Sequence, residues 1–330
     1  MATLDIFNGD AFTLSAMTAA IQNAPFAPGR LGELGLFGAE QGVNTKSVMI
    51  EQYDDVLDII PVSQRGAPAT PSKHGTRKVH AFTIPHIKPE DAILADEVLG
   101  VRAFGSESEV ETVAGIVGQR LAKMRQNIEY TKESYRMLAL KGSYMDAAGN
   151  QTSLFTTFGV TQDTVGFDLD NAAAVMRLKV LALLESIEDS LGGLSFSGVR
   201  VLCGKNFWSK LIEHKSVKES YLNTIQAAAL RGDPRMEFSF CGVTFERYRG
   251  TSAVKVGDDE AYAVPEGVVD LFIARNAPAD YVETVGTMGQ SIYAKQWLME
   301  AGRGIKMEAQ ANPLMICTRP KVIKKLTVAA

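Results

Sequence analysis

The stretch Gly198 to Lys205, GVRVLCGK, comes nearest to chemistry because it has the makings of a nucleotide loop. A phosphate cradle of that type needs two glycines separated by four residues, then lysine and a serine or threonine to hold magnesium. Here five residues separate Gly198 from Gly204, and Asn206 stands where the hydroxyl belongs. Val199, Val201, Leu202 and Cys203 read instead as a buried strand, with Gly204 as a plain strand-to-helix turn. Cys203 as a nucleophile needs a base beside it, but His214 lies two or three helical turns on, and burial keeps a thiol inert. His74, His80 and His86 have no acid or cysteine as a third metal ligand. Asp258, Asp259 and Glu260 form an acidic turn without the ordered spacing of a calcium loop. The expectation is therefore no catalytic residue, no cofactor and no metal.

A second run asks for a different explanation. Pro28 to Gly38, PGRLGELGLFG, places Gly29, Gly32, Gly35 and Gly38 at a period of three, with Leu31, Leu34, Leu36 and Phe37 between them. No two of these glycines are one residue apart, as a dinucleotide loop requires, and the period stops too soon for a collagen helix. What remains is a permissive backbone carrying bulky apolar side chains. Fixing glycine costs the most entropy, so something outside the segment has to bury those side chains.

The elements that would position any site follow from composition and periodicity. With 330 residues, 46% hydrophobic and 22% charged, the chain falls in the ordinary globular range. The longest apolar stretch, Ala172 to Ile187, is broken by Arg177 and Lys179, so no membrane span is expected. The N-terminus lacks the basic start and apolar block of a secretion signal. Cys203, Cys241 and Cys317 are an odd number without C-x-x-C spacing, which points to buried thiols in a reducing compartment.

Charge is nearly balanced, 34 basic against 38 acidic residues, where a phosphate-gripping protein shows a basic stripe. One basic run, Arg65 to His80, holds Arg65, Lys73, Arg77 and Lys78 with no acid and no aromatic residue to stack a base. Its prolines and glycines make it a long exposed loop facing solvent or a partner.

The first 45 or so residues read as an arm. Alternating segments at Ser47–Val62 and Val79–Ile87 flank the basic loop and make a long hairpin. A helix follows from about Ser106, with Glu107, Glu109 and Glu111 in its first turn and Gly142 as its stop. Lys141 to Val160 reads as a second hairpin turning at Ala148, Gly149 and Asn150. From Asp168 the texture changes to helices and short strands, a separate α/β lobe. Within it come a helix after Gly204, carrying Phe207 and Trp208 as core residues, paired strands turning at Gly242, and a strand-like C-terminus.

In order along the chain, FNGDAFTLSAMTAAI, PGRLGELGLF, IPHIKPEDAILADEVLGVRAFG, LALKGSYMDAAGN, CGKNFWSKLIEHKSVKESY, FERYRG, APADYVETVGTMG and ANPLMICTRP together make it similar to a known family. The chain resembles the phage major capsid protein E family, the lambda-like tailed-phage major capsid proteins, over nearly its whole length. Gly286 and Ala311 depart from the pattern, which has asparagine and serine there.

The resemblance implies an α+β fold of the tailed-phage major capsid type, the Hong Kong 97 type. Its parts map as an N-terminal arm over 1–46, an extended loop hairpin over 47–93, and a peripheral domain with a spine helix over 94–169. An α/β axial domain over 170–308 and a return strand of the peripheral domain over 309–330 complete it. The implied function is a structural one: self-assembly as pentamers and hexamers into an icosahedral shell that encloses double-stranded DNA without reading its sequence. Scaffold, portal and decoration proteins of the same phage are the implied partners, assembly takes place in the host bacterial cytoplasm, and the product is the virion capsid. The residues expected at inter-subunit contacts are Leu31, Leu34 and Phe37 of the arm and Arg65, Lys73, Arg77 and Lys78 of the loop. Glu107, Glu109 and Glu111 of the helix start and Asp258, Asp259 and Glu260 of the turn are expected to face the basic loop. A bacterial nanocompartment shell of the same fold and an oligomeric α/β enzyme are the alternatives.

Overall fold

The computed structural model describes residues 13–24, 29–54, 76–94, 97, 113–218, 237–248, 250, 251 and 254–329. Its axis is helix α3, Val113–Leu140. At roughly 1.5 Å per residue the helix is about 42 Å long. The expected start at Ser106, and with it Glu107, Glu109 and Glu111, lies outside the described residues.

One face of α3 is apolar at helical spacing, but the row is interrupted. Val117, Leu121, Met124 and Ile128 serve one core, Met137 and Leu140 another, and the fully buried Lys132 and nearly buried Glu133 stand between them. The first core adds Met17 and Ile21 from α1, Leu14–Asn23, and a small antiparallel sheet. That sheet runs β13 (Tyr293–Leu298), β14 (Gly304–Gln310), β4 (Glu90–Leu94). The Arg125 guanidinium donates to the Ile21 carbonyl at 2.9 Å, to that of Ala24 at 2.6 Å and to that of Gln22, ending α1 as a cationic cap does.

The second core is built on a six-stranded sheet ordered β7 (Thr164–Gly166), β16 (Lys324–Thr327), β11 (Glu260–Glu266), β8 (Gly198–Cys203), β10 (Val243–Arg247), β9 (Glu237–Phe240). Besides the end of α3, two further helices supply much of its core. α5, Met176–Leu191, buries Met176, Val180, Leu183, Ile187 and Leu191, one apolar residue per turn. α6, Lys205–Glu213, buries Phe207, Trp208 and Leu211, with Trp208 edge-on to Phe238 at 5.4 Å.

The C-terminus differs from the single return strand expected over 309–330. β15, Pro313–Cys317, pairs with β12, Phe272–Asn276, which also pairs with β1, Gln41–Gly42, while β16 enters the six-stranded sheet. Burial explains the division: Lys324 is fully buried and its amine reaches Asp163 at 2.5 Å and Ser190 at 2.8 Å. The span 170–308 likewise runs past the six-stranded sheet, since β13 pairs with β14 and β14 with β4 in the small sheet. The short hairpin β5 (Ser143–Met145) and β6 (Gln151–Ser153) turns at Ala148, Gly149 and Asn150, and α4, Leu154–Phe158, follows it.

Candidate assembly surfaces

The glycine-spaced arm is held by its own chain. Residues Arg30–Glu33 form a single helical turn, α2, laid against α3. The Glu133 carboxylate accepts the Leu31 N–H at 2.7 Å and the Gly32 N–H at 3.2 Å. A Cβ on Gly29 would stand 2.2 Å from Cδ of Glu133, so only glycine admits that approach. Gly35 and Gly38 serve another purpose, with φ of +64° and +59°. Leu31 is fully buried, Phe37 packs on Phe272 at 5.0 Å between ring centres, and Leu34 and Leu36 pack half-buried against the same core. The expectation that another subunit buries Leu31 and Phe37 is thereby corrected: α3 and Phe272 of β12 in the same chain already cover them.

Ion pairs extend the attachment in two directions. Glu40 meets Lys132 at 3.1 Å and Arg136 at 3.2 Å, and it accepts the Asn276 amide at 3.0 Å. Burial pushes its carboxyl up, but Lys132, Asn276 and Ser291 outweigh that and hold it below the usual carboxylate range. Toward the sheet, Arg30 reaches Glu246 at 2.5 Å, and Arg200 pairs with Glu246 at 2.7 Å and Glu266 at 2.5 Å.

The long hairpin is β2, Ser47–Asp54, with β3, Thr76–Thr83, antiparallel from Ser47 opposite Thr83 to Asp54 opposite Thr76. One face is covered: Phe82 meets Tyr144 and Phe158 with ring centres 5.1 and 5.7 Å apart, and His80 lies on Phe158 at 4.8 Å. The other face is bare, with Met49 69% and Val79 55% exposed. Arg77 and Lys78 sit in strand β3 and not in a loop, because the pairing register extends to Thr76; Arg77 there pairs with Glu51 on the same face. Arg65 and Lys73 lie outside the described residues. Among the described residues, neither strand pairs with any other.

The acidic turn and the apparent nucleotide loop prove to be one structure. The Asp258 carbonyl accepts the N–H groups of Asn206 and Phe207, both at 2.9 Å, and the Asp259 carboxylate accepts the Asn206 amide at 3.1 Å. The helix N-terminal donors that a phosphate would need are already occupied. Glu260 pairs with Lys325 at 2.5 Å, so it is engaged within the chain, while Asp258 and Asp259 are exposed.

The histidines are also engaged: His80 with Gln52, His86 with Asn312, His214 with Ser216 and the Asn171 carbonyl; His74 lies outside the described residues. Cys203 and Cys317 are buried, and burial pushes the Cys203 thiol well up and that of Cys317 up to about 12. Cys241 departs from the expected buried thiols. It is exposed, because the β9–β10 turn puts it at φ +50° outside the sheet. A thiol reagent such as Ellman's is accordingly expected to label one cysteine per native chain, Cys241, and all three after unfolding. Rapid labelling of two or three in the native protein would contradict this burial.

The whole arrangement superposes on solved phage capsid proteins. A crystallised prophage protein of Escherichia coli CFT073, described as a candidate capsid protein, superposes with a TM-score of 0.57 over 94% of this chain and 95% of its own, at 15% identity. The capsid of Myoviridae phage XM1 gives 0.54 over 89% and 90%, at 11% identity. The fold is therefore that of the tailed-phage capsid proteins, the Hong Kong 97 type, in its mixed α+β form. Sequence makes the assignment narrower: the major capsid protein of Salmonella phage Felix O1 is 27% identical over 94% of this chain and 95% of its own. The family described as phage major capsid protein E matches residues 13–328, and the chain belongs to that family. It is a structural protein of the phage capsid and not an enzyme, and it assembles with itself.

Proposed function

We propose that this chain closes into rings of five and six and that these build an icosahedral head enclosing double-stranded DNA. The observation that carries the reading is the hairpin. Its inner face is spent on its own core, while its outer face and, among the described residues, both its strand edges are left for a neighbour. Scaffold, portal and decoration proteins are the proposed partners within the host cytoplasm. The chain's acidity suits a container, since a wall that gripped phosphates would hinder packing and release. Purified particles examined by negative stain and for nucleic acid test it. Shells holding DNA support the phage head, whereas shells holding a cargo protein support the nanocompartment alternative and discrete monomers count against both.

Arg77 and Lys78 are proposed to meet an adjacent subunit. Changing both to glutamate is expected to leave the subunit folded and to cut shell yield sharply at low salt, with a smaller deficit at high salt. Each exposed pair is worth only about 0–1 kcal/mol, but the term recurs in every subunit. Arg77→Glu also faces Glu51, so E51R/R77E serves as the control that restores the pair within the hairpin. Parent-level assembly of the double glutamate variant at low salt would show that Arg77 and Lys78 make no contact.

A further inference from the structure

Two helices on one face of the six-stranded sheet carry exposed charge of opposite sign that is unpaired among the described residues. Toward one edge α5 lies over β16, where Ser190 is bonded to Lys324 at 2.8 Å. Away from the sheet the helix exposes Val175, Leu178 and Leu181, the last two by 62% and 50%, and then Glu185, Glu188 and Asp189. Among the described residues none of the three acids is ion-paired. α6 lies on the same face of the sheet toward its other edge: its Trp208 reaches Phe238 of the edge strand β9, in the cross-strand row that also holds Lys324. Lys205 opens that helix and Lys215 and Lys218 follow it, all exposed and none ion-paired among the described residues.

We propose that the outer face of α5 in one copy docks on the lysine-bearing α6 flank of the next copy around a ring. This rests on the self-assembly reading above and names the surfaces. A head-to-tail contact needs two different patches on one chain that fit each other, and these two match in net charge: the acids of α5 outnumber its exposed Arg177 and the lysines of α6 outnumber its exposed Glu213. A two-fold contact of α5 with itself would lay its acidic half over its apolar half and leave the acids unanswered. The exposed leucines supply the apolar area that the charges orient.

Three forms of the full chain test it: E185K/E188K/D189K, K205E/K215E/K218E, and the two sets combined. All six positions are exposed, so circular dichroism and melting should match the parent. Either set alone is expected to lower particle yield by about tenfold or more at low salt, because the weak pairs recur around each ring. The combined exchange should recover most of it. If the parent assembles and either single set assembles equally well, the flank contact is overturned while the capsid reading stands. The same holds if both sets block assembly and the combination stays inactive, since α5 then meets something other than α6. A parent that forms no particles overturns the self-assembly reading and this contact with it.

Discussion

Replacing Glu133 by alanine is expected to detach residues 29–40 from the helix, lower stability by about 3–5 kcal/mol and abolish stable particles. The side chain is 6% exposed and stands opposite Arg136 at 3.4 Å. It also satisfies two backbone N–H groups of α2 and lies within 3.4 Å of the Tyr248 hydroxyl. Its removal leaves those donors without an acceptor in a site that excludes water, which is costlier than the loss of one exposed pair. Glu133→Gln keeps an acceptor oxygen but not the charge, so it should fall between parent and alanine. Melting temperature together with particle yield reads the effect. A Glu133→Ala protein that melts with the parent and forms normal shells would mean that the apolar contacts of Leu31 and Phe37 hold the arm unaided.

Acid should act on the same attachment. The carboxyl of Glu40 sits below its ordinary value, so its share of the stability is complete above the ordinary carboxylate range. That share is lost as pH falls through the lowered value, which predicts a melting temperature that declines below about pH 4.5. In the Glu40→Gln protein the decline should be shallower.

How much of this was legible in the sequence depended on the range of the interaction. The existence of the hairpin, the turn at Gly149 and the helix after Gly204 are local, and alternation or helical spacing reveals them directly, although β3 begins at Thr76 inside the run read as a loop. The core positions of Phe207 and Trp208 were likewise readable from a helix starting at Gly204. The arm was not, because Gly29 and Gly32 answer to residues about a hundred positions away. Gly29 is small so that Glu133 can approach, and nothing near it in the chain carries that information. For the same reason the leucines were assigned to a neighbouring subunit although Phe272 and α3 of the same chain cover them. Glu133 itself looks like one more polar residue on a helix. The signal that could have found it is the break in the apolar row between Ile128 and Met137, where the stripe predicts a buried position and the sequence has Lys132 and Glu133. The C-terminus read as a strand, but the sheet that β16 joins was hidden, since its buried Lys324 reads as a solvent-facing strand residue until Asp163 and Ser190 are placed beside it.

Gly204→Ala is expected to destabilise the six-stranded lobe by about 3 kcal/mol or more and to leave no assembly-competent protein. The glycine that imitates a phosphate loop is there for a close crossing of two backbones. A Cβ at this position would lie 1.9 Å from the Gly257 carbonyl oxygen and 2.8 Å from that of Asp258. Both obstacles are main chain, so no rotamer change relieves them. The φ at Gly204 is −69°, which alanine adopts freely, so the cost comes from contact and not from conformational restriction. Moving the 257–260 turn away would break the bond from the Gly204 N–H to the Glu260 carbonyl at 2.8 Å, and those from Asn206 and Phe207 to Asp258. The start of α6 and the β8–β11 pairing would loosen together. Gly159→Ala is the contrasting control: its φ is +67° with no atom within 4 Å of the added carbon, so strain alone should cost about 1 kcal/mol. Denaturant unfolding of the two variants separates the causes. If Gly204→Ala loses no more stability than Gly159→Ala, the turn yields to the methyl group and the backbone crossing is not what requires glycine there.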